Sequence, residues 1–529
     1  MGVHKKGGLV GGFDQLRAPN APTISVSGGE GQVTVTITNP SDTGGGDITS
    51  YAVSALTGPI EDTTFAVTVV SDGGNKYAID GTTQGTVTLH KGHTYIFDQS
   101  DSSNSGHPLR LSTTSNGSHG GGSEYTTGVT TSGSPGSAGA FTKIAVDSGA
   151  ASTLYYYCSS HSGMGGTANV KTSLQGGASG SSSPITVSSL TNGESYNVRA
   201  SAINAFGQSP YSAASTGSPA ATRGYILSGY GTLSGSLATH NIIQVVTIAS
   251  AGNSTDWGAD LLDGRYSGGA CSNSTTGIIG GGGNTDTTVD KTVIQYLNLT
   301  SAANAQDFGD LTTGGLDIGA CSNSTYGFFV GGLLNSSRVN TIQRITIAST
   351  GNASDFGDLT ETSADHSSFS DGTYGFRAGG TNGSSNLNTI DRFAMASSGN
   401  ASDYGDLTVA RNDTGEESNC CSSTRAIIAG GSDGSSPYSG VIDYVTMSSN
   451  AGATDFGDLR GNYARLFGTA STVRAIFGGG AWDGSGVNST DKLDYVTIAS
   501  TGNATSFGDL LMAHSYTGGA VSNGHGGLS

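Results

Sequence analysis

The chain has 529 residues, of which 87 are glycine and only 12% are charged, and its net charge at neutral pH is −18. A negative charge of this size argues against non-specific binding to nucleic acids or to anionic membranes, and it favours solubility. No apolar run is long enough to span a bilayer, and residues 1–13 lack the apolar core of a signal peptide.

The N-terminal residues 1–20 are rich in glycine and slightly basic, with His4, Lys5, Lys6 and Arg17. This composition predicts either a mobile tail or a short peptide that anchors the protein to a larger assembly. The β-rich composition suits an extracellular protein, yet no export signal is visible. Assembly in the cytoplasm as part of a particle, followed by release on lysis, reconciles the two observations.

Residues 21–60 and 175–220 carry matching patterns of β-strands. Gln32–Ile37 and Val198–Ile203 alternate between apolar and polar residues, which is typical of strands with one buried face. Together the two pieces resemble one fibronectin type III sandwich, with the second piece supplying a Leu-Thr-Asn-Gly-x-x-Tyr corner that ends at Tyr196. The resemblance implies that the residues between the two pieces are an insertion, which surface loops of β-sandwiches tolerate.

The predicted insertion, residues 61–174, begins with short strand-like runs at Phe65–Val70, Tyr77–Asp80, Val87–Leu89 and Thr94–Phe97. After them come Gly106-His107-Pro108 and, following an aromatic strand, Cys158-Ser-Ser-His161-Ser-Gly-Met164. A thiolate, two imidazoles and a thioether are the donor set of a blue-copper site. The insertion therefore carries the sharpest chemical motif in the chain.

This segment resembles the cupredoxins, and its short Cys-x2-His-x2-Met loop is similar to that of the amicyanin group. The resemblance implies a type 1 copper site with His107, Cys158 and His161 as equatorial ligands and Met164 as the axial ligand. Many cupredoxins have a polar residue after the first histidine, and Pro108 departs from that pattern. A cupredoxin-like scaffold that holds zinc or no metal is the alternative. His119, in a Gly/Ser-rich loop, is expected to be solvated and not a ligand.

The C-terminal half, residues 223–529, repeats one stretch about every 50 residues. Its best copy is Gly351-Asn-Ala-Ser-Asp-Phe-Gly-Asp-Leu-Thr360. The aromatic–glycine pairs of its versions are Trp257-Gly258, Phe308-Gly309, Phe356-Gly357, Tyr404-Gly405, Phe456-Gly457 and Phe507-Gly508. Each period also holds an apolar strand that ends in two glycines and an alternating strand. A period of this size is typical of propellers and solenoids.

The repeats predict a six-bladed β-propeller that resembles the kelch type, with Phe-Gly-Asp-Leu as a turn in each blade. The first blade lacks its opening strand, and Tyr516–Asn523 matches that strand. We therefore expect the C-terminal strand to complete the first blade and close the ring. The repeated aspartates are interpreted as turn and cap groups. Cys271 and Cys321 are expected to be small buried residues, with disulfides across blades as the alternative.

The predicted fold is thus all-β: a fibronectin type III sandwich interrupted by a cupredoxin-like sandwich, followed by the six-bladed propeller. No catalytic constellation occurs, so we expect no enzyme. The fibronectin-like pieces, the Tyr-Tyr-Cys-x-x-His-Ser-Gly-Met-Gly signature and the Gly/Ser/Thr-rich repeats resemble virion proteins of tailed phages, especially those of marine cyanobacteria. The alternatives are a copper electron-transfer protein with a propeller docking domain and a secreted bacterial surface lectin.

The resemblance to virion proteins implies a fibre, neck or capsid-decorating component that is exposed on the particle. Its expected partners are other virion proteins, bound through residues 1–20, and a glycan or protein of the host surface, bound by the propeller. We expect an oligomer within an assembly, with no binding to nucleic acid and no insertion into a membrane. The motif implies copper as the one cofactor.

Overall fold

The computed structural model describes residues 16–233, 236–285, 292–414, 417–418, 420–434, 438–449, 451–482 and 489–524. Within these ranges the chain is all-β, as predicted, with several sheets, two short 3₁₀ helices (Ser102–Asn104 and Gly117–Gly120) and no α-helix. None of the described helices has the length and apolarity that a membrane crossing requires. Most of the predicted anchor peptide, residues 1–15, lies outside the described residues.

The chain divides into two compact units, Met1–Ala220 and Ala221–Ser529. The strands of the N-terminal unit are β1 (Thr23–Gly29), β2 (Gln32–Thr38), β3 (Ser50–Leu56), β4 (Thr63–Ser71), β5 (Asn75–Ile79), β6 (Thr82–Thr83), β7 (Val87–His90), β8 (Thr94–Asp98), β9 (Leu109–Ser112), β10 (Val129–Ser132), β11 (Phe141–Ala145), β12 (Thr153–Cys158), β13 (Gly166–Lys171), β14 (Gln175–Gly180), β15 (Ile185–Val187), β16 (Tyr196–Asn204), β17 (Gly207–Gln208) and β18 (Ser215–Gly217).

The segments before and after the predicted insertion share two sheets. One sheet has the order β1-β2-β15, and the other has the order β14-β3-β16-β17, with β18 also paired to β16. Alternate residues of these strands, such as Val33, Val35, Val53 and Val198, point into one apolar core. The period-2 pattern of the sequence therefore corresponds to the buried faces of these strands.

The inserted strands β4–β13 form two further sheets of their own, with the orders β10-β11-β8-β4-β5-β6 and β7-β13-β12-β9. Their shared core contains Tyr77, Phe97, Leu109, Tyr156 and Cys158. In the second sheet β12 lies antiparallel to β9, and Cys158 is opposite Leu109. This register brings the end of the aromatic strand next to the segment that contains His107.

The strands of the C-terminal unit are β19 (Arg223–Leu233), β20 (Ser236–Thr247), β21 (Thr255–Asp260), β22 (Gly269–Ser272), β23 (Thr276–Gly280), β24 (Val293–Asn298), β25 (Gln306–Asp310), β26 (Gly319–Ser322), β27 (Tyr326–Val330), β28 (Leu333–Leu334), β29 (Ser337–Arg338), β30 (Thr341–Thr346), β31 (Ser354–Asp358), β32 (Ser367–Ser370), β33 (Tyr374–Ala378), β34 (Thr389–Ala394), β35 (Ser402–Asp406), β36 (Glu417–Ser418), β37 (Arg425–Ala429), β38 (Val441–Thr446), β39 (Ala453–Asp458), β40 (Phe467–Ala470), β41 (Arg474–Gly478), β42 (Thr490–Thr497), β43 (Thr505–Thr517) and β44 (Ala520–Ser522).

Most of these strands form six successive antiparallel groups, which we number in chain order; β28 and β29 pair with each other, and β36 pairs in parallel with β40. Group 1 contains β44, β19, β20 and β21; group 2, β22–β25; group 3, β26, β27, β30 and β31; group 4, β32–β35; group 5, β37–β39; and group 6, β40–β43. Strand β44 pairs with β19, so the last strand of the chain belongs to the first group. Strand β43 also pairs with β19, which makes groups 1 and 6 one sheet.

The Phe-Gly-Asp segments are short strands, and their prediction as turns was wrong. Residues Gln306–Asp310, for example, pair with β24 as the fourth strand of group 2. Glycine allows this strand to lie close to the next repeat. A Cβ on Gly309 would lie only 2.5 Å from the backbone of Gly351 in that repeat. The segment therefore continues the sheet and also packs closely against the neighbouring group.

Neighbouring groups are joined by hydrogen bonds at one repeated position. Each strand with alternating apolar and polar residues has a bulge, and beside the bulge lies a buried Gln or Asp. The side chain of this Gln or Asp accepts a backbone N–H from the preceding group. The donor is the residue that directly follows the Asp-Leu pair of that group. The six pairs are Leu262 with Gln295, Thr312 with Gln343, Thr360 with Asp391, Thr408 with Asp443, Arg460 with Asp494, and Leu511 with Gln244. The last pair joins group 6 to group 1.

A second series of hydrogen bonds joins the edge strands of the groups, and in group 5 it is made by Cys420 and Cys421, which precede β37, with Cys421 bridged to Ala426 of that strand. A hydroxyl or thiol donates to a backbone carbonyl of the adjacent group in each of six contacts: Ser272 to Ser522, Ser322 to Ser272, Ser370 to Ser322, Cys421 to Ser370, Cys420 to Thr469, and Ser522 to Ala470. The series begins and ends at Ser522. Each of the six groups is thereby bonded to two neighbours.

Candidate metal centre

Three of the four predicted ligands lie together at one end of the inserted sheets. The donor atoms of His107, Cys158 and His161 all lie within 4.8 Å of one another, and no other such group occurs among the described residues. Cys158 ends β12, His161 follows three residues later, and His107 lies just before β9. Because β9 and β12 are neighbours, the sheet register brings together residues that are 51 positions apart.

Both histidines present the same ring atom to the sulfur. The Sγ of Cys158 lies 3.9 Å from the Nδ1 of His107 and 3.7 Å from the Nδ1 of His161. The two imidazole rings have centroids 4.6 Å apart and are tilted by 48°. Cys158 is fully buried, His107 is half-buried and His161 is exposed. The cluster is therefore a buried sulfur covered by two imidazoles, one of which reaches the surface.

Met164 is buried with Cys158 in the apolar core of the insertion. Two hydrogen bonds hold the Met164 loop against β5. The backbone N–H of Tyr77 donates to the carbonyl of Met164, and the amine of Lys76 donates to the carbonyl of Gly163. Gly165 must be glycine, since a Cβ there would lie 1.7 Å from the carbonyl oxygen of Tyr156. The segment after Cys158 therefore folds back tightly over β12.

The backbone of His107 is held by residues that sequence reasoning did not identify. The hydroxyl of Tyr77 and the amide of Gln99 both donate to the carbonyl of His107, at 2.7 and 2.8 Å. The Oε1 of Gln99 also accepts the N–H of Leu109. Gln99 thus bonds the chain on both sides of Pro108. The sequence contains one signal for these two residues: Tyr77 lies in one predicted strand of the insertion, and Gln99 follows another.

Pro108 contributes its backbone to the site. Its carbonyl accepts the N–H of Ser159 at 3.0 Å, which joins the His107 segment to the loop after Cys158. A proline cannot supply a polar side chain, but its carbonyl remains available as an acceptor. The side chain of His119 is exposed, and its Nε2 lies 3.1 Å from the carbonyl of Cys158.

The surroundings favour the uncharged forms of His107 and Tyr77. Burial lowers the pKa of His107, and the neighbouring His161 lowers it further. Burial and the adjacent Cys158 raise the pKa of Tyr77, so its hydroxyl remains protonated and can donate. A neutral imidazole is the form that binds a metal ion. The site therefore keeps His107 ready for coordination at lower pH than an exposed histidine.

The other four cysteines, Cys271, Cys321, Cys420 and Cys421, are buried in the C-terminal unit and form no disulfide. Burial raises the pKa of the Cys271 and Cys421 thiols to about 12, which makes them poor nucleophiles and poor ligands. The prediction that Cys271 and Cys321 are small buried residues is confirmed.

No model of a known protein family matches the chain, and no curated protein matches it significantly.

Proposed function

We propose that the N-terminal unit binds one copper ion through His107, Cys158 and His161, with Met164 as a weak axial ligand. The observation that carries this proposal is the spacing of the donor atoms. A trigonal metal with bonds of about 2.3 Å to sulfur and about 2.0 Å to nitrogen separates these ligands by about 3.7 Å. The distances of 3.7 and 3.9 Å from Sγ to the two Nδ1 atoms match this value.

The donor chemistry favours copper over harder ions. A thiolate and two imidazoles, with no carboxylate in the group, suit copper or zinc and do not suit calcium or magnesium. When bound, copper in such a site supplies one-electron redox chemistry. The chain's own part is to hold the donors: Gln99 and Tyr77 hold His107, and the folded-back loop after Cys158 positions His161 and Met164.

Copper titration tests this proposal. Adding Cu(II) to the protein should give an intense blue colour at a stoichiometry of one, and Cys158→Ser should abolish it. Cys271→Val is the matched control, because it removes a buried cysteine at a position where group 1 has Val521, and it should leave the colour unchanged. A protein that stays colourless, or that retains zinc in preference to copper, would contradict the copper assignment.

The architecture around the site is proposed to be a fibronectin type III sandwich, a cupredoxin-like insertion and a six-bladed kelch-like propeller. The first two are supported by the sheets that the flanking segments share and by the separate sheets of the insertion. The propeller is supported by the six groups, by the pairing of β44 with β19, and by the hydrogen bonds that return to Ser522.

We further propose that the chain is a structural and adhesion protein of a tailed-phage particle. The signature around Cys158 and the repeats of the C-terminal unit support this setting, and the regular hydrogen bonds between groups provide a rigid scaffold for a binding face. Copper would then stiffen the insertion by joining His107 to the loop after Cys158. Copper-loaded protein should accordingly resist proteolysis in the insertion better than metal-free protein.

Particle labelling and host adsorption test the adhesion function. Antibody to residues 221–529 should label the particle surface in electron micrographs, and the purified chain should bind host cells and compete with particle adsorption. A chain that labels no particle and binds no host cell would refute this function.

Electron transfer is the second candidate, and the exposure of His161 favours it because an exposed ligand gives the copper a short path to a partner. It predicts rapid electron exchange with a soluble redox partner and no role in adsorption.

A further inference from the structure

Group 6 differs from the other groups at two neighbouring surface positions, and the first is Trp482. This residue follows the Gly479-Gly480 pair, and the equivalent residues in groups 2 to 5 are Asn284, Leu334, Asn382 and Asp433. The indole of Trp482 is 50% exposed. Groups 2 to 5 thus form the same turn without an aromatic residue at this position.

The second difference is Tyr463. The equivalent position holds a fully buried arginine in groups 2 and 5, Arg265 and Arg411. In group 6 the buried Asp494 is paired instead with Arg460, whose Nε lies 2.5 Å from its Oδ1. Because Arg460 approaches from the preceding turn, position 463 can hold an aromatic residue, and Tyr463 lies half-buried against the apolar core of groups 5 and 6.

Trp482 and Tyr463 line an open groove of about 550 Å³, together with Gly461, Asn462 and Thr490. The groove contains no charged lining residue among these five. A cavity of about 10 Å³ shares Tyr463 and Thr490 with this groove, is also lined by Lys492 and Asp494, and has room for roughly one water molecule. Gly461 is packed against the Tyr463 ring, since a Cβ there would lie 2.7 Å from the phenolic oxygen.

The lining has the chemistry of a site for a neutral sugar. The indole and phenol rings offer flat apolar faces to the C–H faces of a pyranose, while the Asn462 amide and the Thr490 hydroxyl can donate to and accept from its hydroxyls. The net charge of −18 disfavours polyanionic ligands such as nucleic acids or sulfated polysaccharides, and none of the five described lining residues is charged. An open groove also suits one sugar residue of a polysaccharide better than a small molecule, because small molecules usually bind in pockets that enclose most of their surface.

We propose that this groove binds a neutral saccharide, with Trp482 and Tyr463 as the stacking platform and Asn462 and Thr490 as the polar contacts. The inference rests on the adhesion function proposed above and names its ligand class and its site.

The test uses tryptophan fluorescence, because the chain has only two tryptophans, Trp257 and Trp482. Trp257→Phe leaves Trp482 as the sole reporter and installs the residue that groups 2, 3, 5 and 6 use at this position. Neutral and acidic oligosaccharides are then screened on an array and titrated. We expect a neutral oligosaccharide to change the Trp482 emission saturably.

Trp482→Asn is the test variant, since Asn284 and Asn382 occupy this position in groups 2 and 4. We expect it to lower the affinity for the sugar at least tenfold in isothermal titration calorimetry, which does not need the Trp482 indole as a reporter, without changing the melting temperature. Tyr463→Ser, which installs the residue that Ser363 provides at the equivalent position of group 4, should have the same direction of effect.

Binding of no neutral sugar, binding of acidic sugars only, or an unchanged affinity in Trp482→Asn would overturn the proposal. So would self-association that depends on Trp482 in the absence of sugar binding. If Trp482→Asn still binds host cells as tightly as the unaltered chain, this groove is not the site and the adhesion function stands. If the unaltered chain binds no host cell, the adhesion function itself fails.

Discussion

His366 lies fully buried near the start of group 4, where burial and then the charge of Arg377 lower its pKa to about 3. Its Nδ1 lies 3.3 Å from the hydroxyl of Ser363. His514 in β43 has a similarly lowered pKa, for which burial is again the main cause. Both residues are neutral core histidines, and their protonation is coupled to the stability of the C-terminal unit.

The sign of the pH dependence follows from the two states of His366. The unfolded chain has a histidine pKa near 6.5 and binds a proton below that pH, whereas the folded chain does not bind one until about pH 3. Stability is therefore complete above pH 6.5 and decreases as the pH falls between these values, by about 1.4 kcal/mol per pH unit for each such histidine.

His366→Leu should make this pH dependence shallower. Leu466 occupies the equivalent position in group 6, so the variant retains a side chain that this fold accommodates. Tryptophan fluorescence reports on the C-terminal unit alone, because both tryptophans belong to it. Urea unfolding at pH 7, 6 and 5 should show a smaller loss of stability in the variant. Equal slopes for the two proteins would disprove the role of His366.

At the scale of the element, the bulged alternating strand is the unit that connects one group to the next. Its buried polar residue is Gln in groups 1 to 3 and Asp in groups 4 to 6, namely Gln244, Gln295, Gln343, Asp391, Asp443 and Asp494. Each aspartate is paired with an arginine: Asp391 with Arg377, Asp443 with Arg411, and Asp494 with Arg460. A buried carboxylate requires such a partner, whereas the neutral amide of Gln does not.

Group 5 allows a test by a double-mutant cycle. Arg411 and Asp443 are both fully buried, with 3.0 Å between Nη1 and Oδ2. Asp443→Gln and Arg411→Ser should each destabilise the C-terminal unit by about 3–5 kcal/mol, because each leaves one buried charge unpaired. The double variant replaces the ion pair by a neutral Gln and a small residue, as in group 3, where Gln343 has the position of Asp443 and Gly315 the position of Arg411. It should lose much less stability than the sum of the two single changes; additive losses would contradict the coupling.

At the scale of the C-terminal unit, the short strand β44 stabilises both group 1 and group 6. It pairs with β19, and its two apolar residues belong to different cores: Val521 packs with Tyr225 and Leu227, and Ala520 packs with Phe467 and Ile476. Removing the strand therefore opens groups 1 and 6 together and exposes the edge of β19.

Deletion of residues 518–529 should consequently unfold the C-terminal unit in one cooperative step or lower its melting temperature strongly. Calorimetry and tryptophan fluorescence measure the effect. Ser522→Ala is the control, because it removes the side-chain hydrogen bond to Ala470 and keeps the strand, at a cost of about 1 kcal/mol. A truncated protein that melts like the full chain would show that β44 does not hold the groups together.

The sequence by itself determined the all-β class, the period of the C-terminal half and most strands of the inserted segment. It also indicated that His107, Cys158 and His161 would meet. Alternation reports which face of a strand is buried, and a repeated turn chemistry reports the period, so both are local properties of the chain.

Only the tertiary structure decided which partners the buried polar groups have. Arg377, Arg411 and Arg460 reach equivalent aspartates from three different positions in the repeat, and Gln99 holds His107 from a separate strand end. The Phe-Gly-Asp segments became strands because the next group packs against their glycines. Such partners depend on the space that neighbouring elements leave, and that space is a property of the assembled sheets and not of any one segment.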